Sequence, residues 1–204
     1  MLIRNSFVAP FVALLTVLAI AASPVADARA ASGEANAFIS KVGQEAIDSL
    51  TGRELSDKQR EERFRSILNR AFQVDLIARF TLGRYWRLAT EVQRKEYLRL
   101  FEDFVVQAYA ARFKDYSGES FSVGKVRDIN DRDKLVYSTL TLKDGRQIPV
   151  HWRVRGNSDY MIVDVLVEGV SMAITHRDEF AAIINQRGGK VEGLLVALRQ
   201  KTGK

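Results

Sequence analysis

The stretch KLVYSTLTLKDGRQIPVHWRV, Lys134 to Val154, decides the fold. Its two halves, 134–142 and 146–154, flank Lys143-Asp144-Gly145. Asp-Gly between two runs rich in β-branched and aromatic residues is a hairpin signal, because tight antiparallel turns need a residue that accepts positive φ. In the second half Ile148, Val150, Trp152 and Val154 fall on one face, and His151 and Arg153 on the other. Upstream, ESFSVGKV (119–126) alternates weakly. Downstream, Gly156-Asn157-Ser158-Asp159 reads as a second turn, and YMIVDVLVEGV (160–170) is apolar on both faces, which predicts cover on both sides. Four strands so joined form an antiparallel meander. A parallel sheet is excluded, since each parallel pairing needs a crossover of about a dozen residues.

Ahead of the meander the period changes to that of helices. A first helix, capped by Ser32 and closed by Gly52, places Phe38, Val42, Ala46 and Leu50 on one face. Ser56 with Gln59 makes a capping box that opens a helix burying Phe64, Ile67, Leu68, Ala71 and Phe72. A short helix follows over Leu76 to Phe80, begun by Asp75 and ended near Gly83. Thr90 with Gln93 is a second capping box. It opens a long helix through about Tyr116 with Tyr97, Leu98, Phe101, Phe104, Val105, Ala108, Tyr109 and Phe113 at core spacing. After the meander come helices over about 175–187 and about 190–201. The order of helices, meander, helices gives the α+β class.

The chain has 204 residues, a net charge of +6 and no cysteine. Disulfides, thiolate chemistry and cysteine-ligated metals are thereby excluded. Arg4, the apolar run Phe7–Ala22 and the small-x-small end Ala28-Arg29-Ala30 read as a secretory signal peptide over 1–30, leaving one domain over 31–204. Export makes anionic membrane surfaces and acidic protein patches the natural counterparts of a basic chain, and not nucleic acid.

Gly169-Val170-Ser171-Met172-Ala173 is one residue away from the nucleophile elbow of serine hydrolases, which needs a parallel sheet beneath it. The meander supplies none. The two histidines are poorly placed as bases: His151 faces away from Val150 and Trp152, and His176 is expected to face solvent at a helix start. They have no metal-ligand spacing, and neither a P-loop nor a dinucleotide fingerprint occurs, so no cofactor is expected. Asp164, alone in an apolar strand, needs a partner, and Arg79, Arg84 or Arg87 is expected to provide it.

Two motifs carry a resemblance. Asp75, Ala78-Arg79-Phe80, Leu82-Gly83-Arg84-Tyr85-Trp86-Arg87, Ala89-Thr90, Gln93-Arg94, Phe101 and Tyr109 form the first. Asp164, Glu168-Gly169-Val170-Ser171, Arg177 and Phe180 form the second. Together they resemble the toluene-tolerance, or MlaC, family of periplasmic phospholipid-binding proteins, which includes hopanoid-cluster relatives. The resemblance implies a cone akin to the nuclear-transport-factor-2-like fold, with an apolar pocket for acyl chains. It also implies a shuttle between an inner-membrane ABC transporter bearing an MCE-domain subunit and an outer-membrane lipoprotein–porin complex, supporting outer-membrane lipid asymmetry. Periodicity alone favours a filled core; the resemblance favours a cavity.

On that basis the expected wall consists of Phe72, Leu76, Phe101, Phe104, Val105, Tyr109 and Phe113 from helices. From strands come Val136, Leu140, Val150, Trp152, Val154, Val163, Val165 and Val167. Arg79, Arg84 and Arg87 are expected at the mouth beside the head group, or else paired with Asp75, Asp164 or backbone. Alternatives are a carrier of hopanoid or another polycyclic lipid, an acid/base enzyme on the same fold using Asp164 or His151, and an adaptor that docks a partner through RFTLGRYWR.

Overall fold

The computed structural model describes residues 24–51, 54–114 and 118–204. Residues 1–23, with most of the expected signal peptide, lie outside these, as do the expected helix stop at Gly52 and helix end at Tyr116. Helix α1 (Pro24–Leu50) begins ahead of the expected Ser32 cap. Helix α2 (Asp57–Ala71) and helix α5 (Glu91–Ala110) start at the two predicted capping boxes. Ser56 Oγ accepts from Gln59 N at 3.2 Å, and Thr90 Oγ1 accepts from Gln93 N at 3.2 Å. Between them lie α3 (Val74–Leu82) and a single turn, α4 (Tyr85–Leu88), which has no periodic signature of its own. The long helix is shorter than expected: at Ala110 it tightens into a 3-10 turn, Ala111–Phe113.

The meander is β1 (Ser120–Asp128), β2 (Asp133–Thr141), β3 (Gln147–Arg155), β4 (Met161–Val167) and β5 (Val170–Ser171), paired antiparallel in chain order. Among the described residues there are five strands where four were expected. The extra one is a two-residue return created by Glu168 (φ 51°) and Gly169 (φ 84°), two successive positive φ values that turn β4 back on itself. Helices α6 (Met172–Gln186) and α7 (Val191–Thr202) complete the chain.

Apolar residues gather in two separate cores. One is helical: Tyr97, Leu100 and Phe101 of α5 pack with Leu82 of α3, Phe180 and Ile184 of α6, and Leu194, Leu195 and Leu198 of α7. The Phe180 ring meets Tyr97 and Phe101 edge-on at 6.2 and 6.3 Å. The other lies between α1, α2 and the sheet, built from Ala35, Ile39, Leu50, Ile67, Ala71, Val136, Val154, Tyr160 and Ile162. Gly43 lets α1 lie close on β1, for a Cβ there would sit 2.4 Å from the Phe121 ring. The helical layer is stitched to the sheet where Gln73 N donates to Ile162 O at 2.9 Å.

On the outer sheet face Asp133 is 1% exposed and carries two arginines. It accepts from Arg155 Nε at 2.6 Å and from Arg153 Nε at 3.0 Å. The bonds to Arg155, then those to Arg153, hold its carboxyl well below the usual carboxylate range despite burial. Its stabilisation is therefore present above the unfolded-state value of about 4 and is lost as pH falls below it. Asp133→Asn should cost about 2–3 kcal/mol at neutral pH, because two guanidinium groups lose their anion. Urea unfolding should show a lower midpoint with unchanged slope, and the gap to wild type should shrink on acidification.

Candidate functional site

Between the two cores lies a cavity of about 470 Å³. It falls in the range of small-molecule sites. Five helices and the sheet build its apolar walls. Helix α1 contributes Gly43, Ala46 and Ile47, and α2 contributes Phe64 and Leu68. Val74 and Ile77 come from α3, with Phe72 just before it. From α5 and the turn after it come Phe101, Val105, Tyr109 and Phe113. The sheet adds Phe121, Leu140, Ile148, Val150, Trp152, Val165 and Val167, alternate residues whose side chains share one face. The start of α6 closes the end with Met172, Ala173 and His176.

Of the expected wall residues, the structure brings Phe72, Phe101, Val105, Tyr109, Phe113, Leu140, Val150, Trp152, Val165 and Val167 to the cavity. Five lie elsewhere. Val136 and Val154 are on the predicted face but sit deeper, fully buried under α1 and α2. Val163 is displaced by an irregularity between β3 and β4: Trp152 pairs with Val165, but Val154 pairs with Ile162, so Ile162 takes the inward place. Phe104 turns toward His176 and Phe180, at ring distances of 5.3 and 5.7 Å. Leu76 is 38% exposed, and its neighbours Val74 and Ile77 face inward instead.

Arg79, Arg84 and Arg87 do not line the cavity. Arg79 is exposed on α3, Arg84 between α3 and α4, and Arg87 on α4. The Arg79 guanidinium lies 5.6 Å from the Trp86 ring centroid, and Arg84 donates to Tyr85 Oη at 2.8 Å. The arginine at the cavity is Arg112, which sequence periodicity passed over because it sits in the 3-10 turn. Arg112 is exposed, so the cavity meets solvent beside it.

Asp164 also departs from expectation. Its partners are the N-terminus of α6 and not an arginine: it accepts from Ser171 Oγ at 2.5 Å and from Ala173 N at 3.1 Å. Ser171 Oγ in turn accepts from Ile174 N at 3.1 Å. His176 is not solvent-facing but 13% exposed at its side chain and part of the cavity wall. It lies 2.9 Å from Tyr109 Oη through Nε2 and 3.1 Å from Glu179 through Nδ1. Burial raises the Tyr109 phenol above its ordinary value, so it stays protonated at neutral pH. His151 is on the far face of the sheet, its ring 4.6 Å from that of Tyr137.

The model of the MlaC protein family matches residues 40–200. The chain belongs to the MlaC family. A solved structure similar to this MlaC-family chain is a phospholipid-binding protein from Ralstonia solanacearum in complex with a phospholipid. The two folds agree with a TM-score of 0.74 at 20% sequence identity, over 83% of this chain and 97% of that one.

In this MlaC-family chain the Gly-x-Ser-x-Ala stretch serves as a helix cap. The φ > 0 turn at Glu168-Gly169 delivers Ser171 to the first turn of α6, and Asp164 fixes the serine from below. Ser171→Ala should therefore cost about 1 kcal/mol of stability, the usual value of a lost N-cap. Thermal unfolding should shift down by a few degrees while occupancy of the cavity, read by uptake of a fluorescent acyl probe, stays unchanged.

Proposed function

We propose that this protein is a periplasmic lipid carrier. It takes the acyl chains of a phospholipid into the cavity, keeps the head group toward solvent, and shuttles the lipid between the inner-membrane transporter's MCE-domain subunit and the outer-membrane lipoprotein–porin complex. The observation that carries the reading is the cavity itself, walled by aromatic and aliphatic side chains contributed from both halves of the chain. Membership of the MlaC family and the likeness to a phospholipid-bound protein support it. Exposing hydrocarbon to water costs about 0.8 kcal/mol per methylene, so a lipid crosses an aqueous space only if most of its chains are enclosed. Among the described residues no helix is long and apolar enough to cross a membrane.

An acid/base enzyme would draw on Asp164 and His176, since both reach the cavity. Each is already committed within the protein: both Asp164 oxygens hold the start of α6, and both His176 nitrogens have partners. The arrangement favours binding over catalysis.

Filling the cavity tests the reading. Val165 faces it from the middle of β4, and a Trp there occupies space that the acyl chains need. Val165→Trp should keep the fold, because the added ring enters free volume and not close-packed core. It should reduce uptake of phospholipid from liposomes at least tenfold. Uptake at the wild-type level by a folded Val165→Trp protein would contradict binding in this cavity.

A further inference from the structure

We propose that Arg112, held against the Tyr109 ring, binds the phosphodiester of the carried lipid at the cavity mouth. The inference rests on the lipid-carrier reading and adds a polar anchor to it. Arg112 is the arginine that both lines the cavity and is exposed to solvent. Other arginines that hold the fold together are committed to carboxylates: Arg65 to Glu102 and Asp103, Arg155 to Asp133, Arg199 to Glu96. Among the described residues no carboxylate pairs with Arg112. Its guanidinium instead lies 5.4 Å from the Tyr109 ring centroid. A cation–π contact with the ring holds the guanidinium near it and leaves N–H donors for a bidentate oxyanion.

The phenol beneath it is held in position too. Tyr109 Oη lies 2.9 Å from His176 Nε2, and His176 Nδ1 lies 3.1 Å from Glu179. Among the described residues the anionic groups nearby do not compete for the arginine. Asp164, the carboxylate in the cavity wall, has its oxygens taken by Ser171 and Ala173, and Glu179 is engaged with His176. A hydrocarbon ligand alone would fill the apolar walls and leave the Arg112 donors unused. A chain ending in a phosphate satisfies both regions at once. Phosphate at this point also fixes how deep the chains enter, since the charged end is stopped at the rim.

The test compares vesicle-to-protein uptake of phosphatidylglycerol with uptake of diacylglycerol bearing the same chains, using delipidated full-length mature protein. Wild type should take phosphatidylglycerol about tenfold better, as expected for charge-assisted hydrogen bonds. Arg112→Gln should bring the ratio near one, by lowering phosphatidylglycerol uptake toward the diacylglycerol level. Arg112→Lys should keep part of the preference, for it keeps the charge and loses the fork. Tyr109→Phe should lower the preference less than Arg112→Gln does. Excess inorganic phosphate should reduce the preference in wild type and have no effect in Arg112→Gln. An unchanged ratio in Arg112→Gln would overturn the site. So would equal uptake of both lipids by wild type, even if free phosphate bound through Arg112. Wild type taking up neither lipid would overturn the carrier reading and this site with it.

Discussion

The molecule depends on keeping two apolar cores apart. The helical core centred on Tyr97, Phe101 and Phe180 and the α1–α2–sheet core centred on Ile39, Val136 and Ile162 face each other across the cavity without merging. Leaving such a space dry has a cost. At about 24 cal/mol per Å³ of cavity, a void of this size forfeits on the order of 10 kcal/mol. That is comparable to the whole net stability of a typical domain. A cavity of this kind persists only if something holds the walls open and something fills them for part of the time.

The walls are held open by bonds at their rims. Gln73 donates to Ile162 and anchors the α2–α3 junction to the sheet. Asp164 and Ser171 pin the start of α6 to β4. Asn36 donates to Gly124 O at 2.6 Å and fixes α1 across β1. Apart from Asp164 and Ala173 none of the groups in these bonds lines the cavity, so the wall is left mainly to apolar side chains. Dispersion and burial are not directional, so on the carrier reading such a wall would take acyl chains that differ in length or unsaturation. Under the carrier reading, chain tolerance comes from the walls and any head-group preference comes from the rim.

Much of this was legible in the sequence, for physical reasons. Strand alternation found Leu140, Val150, Trp152, Val165 and Val167, because a period of two leaves little choice of face. Both capping boxes were found, because they need only neighbours three residues apart. Alternation failed at Val163, where a register irregularity moved Ile162 to the inward side, and no sequence pattern announces a bulge of that kind. It also failed to tell wall from core: Val136 and Val154 are on the right face, but depth along a strand depends on where α1 and α2 sit. The wall contributed by Gly43, Ala46 and Ile47 was missed because small residues on a helix read as a contact surface, not as room. Ile148 shared its alternation with Val150 and could have been chosen. The polar rim was the least legible part. Arg112 sits where the long helix ends early in a 3-10 turn and His176 where α6 starts early at Met172, and helix ends are the least determined feature of a periodic pattern.

The most direct test of the central claim, that the gap between the cores is a lipid site, is native mass spectrometry of the mature protein purified from its own cells without detergent, followed by lipid extraction. The account predicts a folded protein carrying one diacyl phospholipid, which is lost on organic extraction. A folded protein that is consistently free of lipid would contradict it.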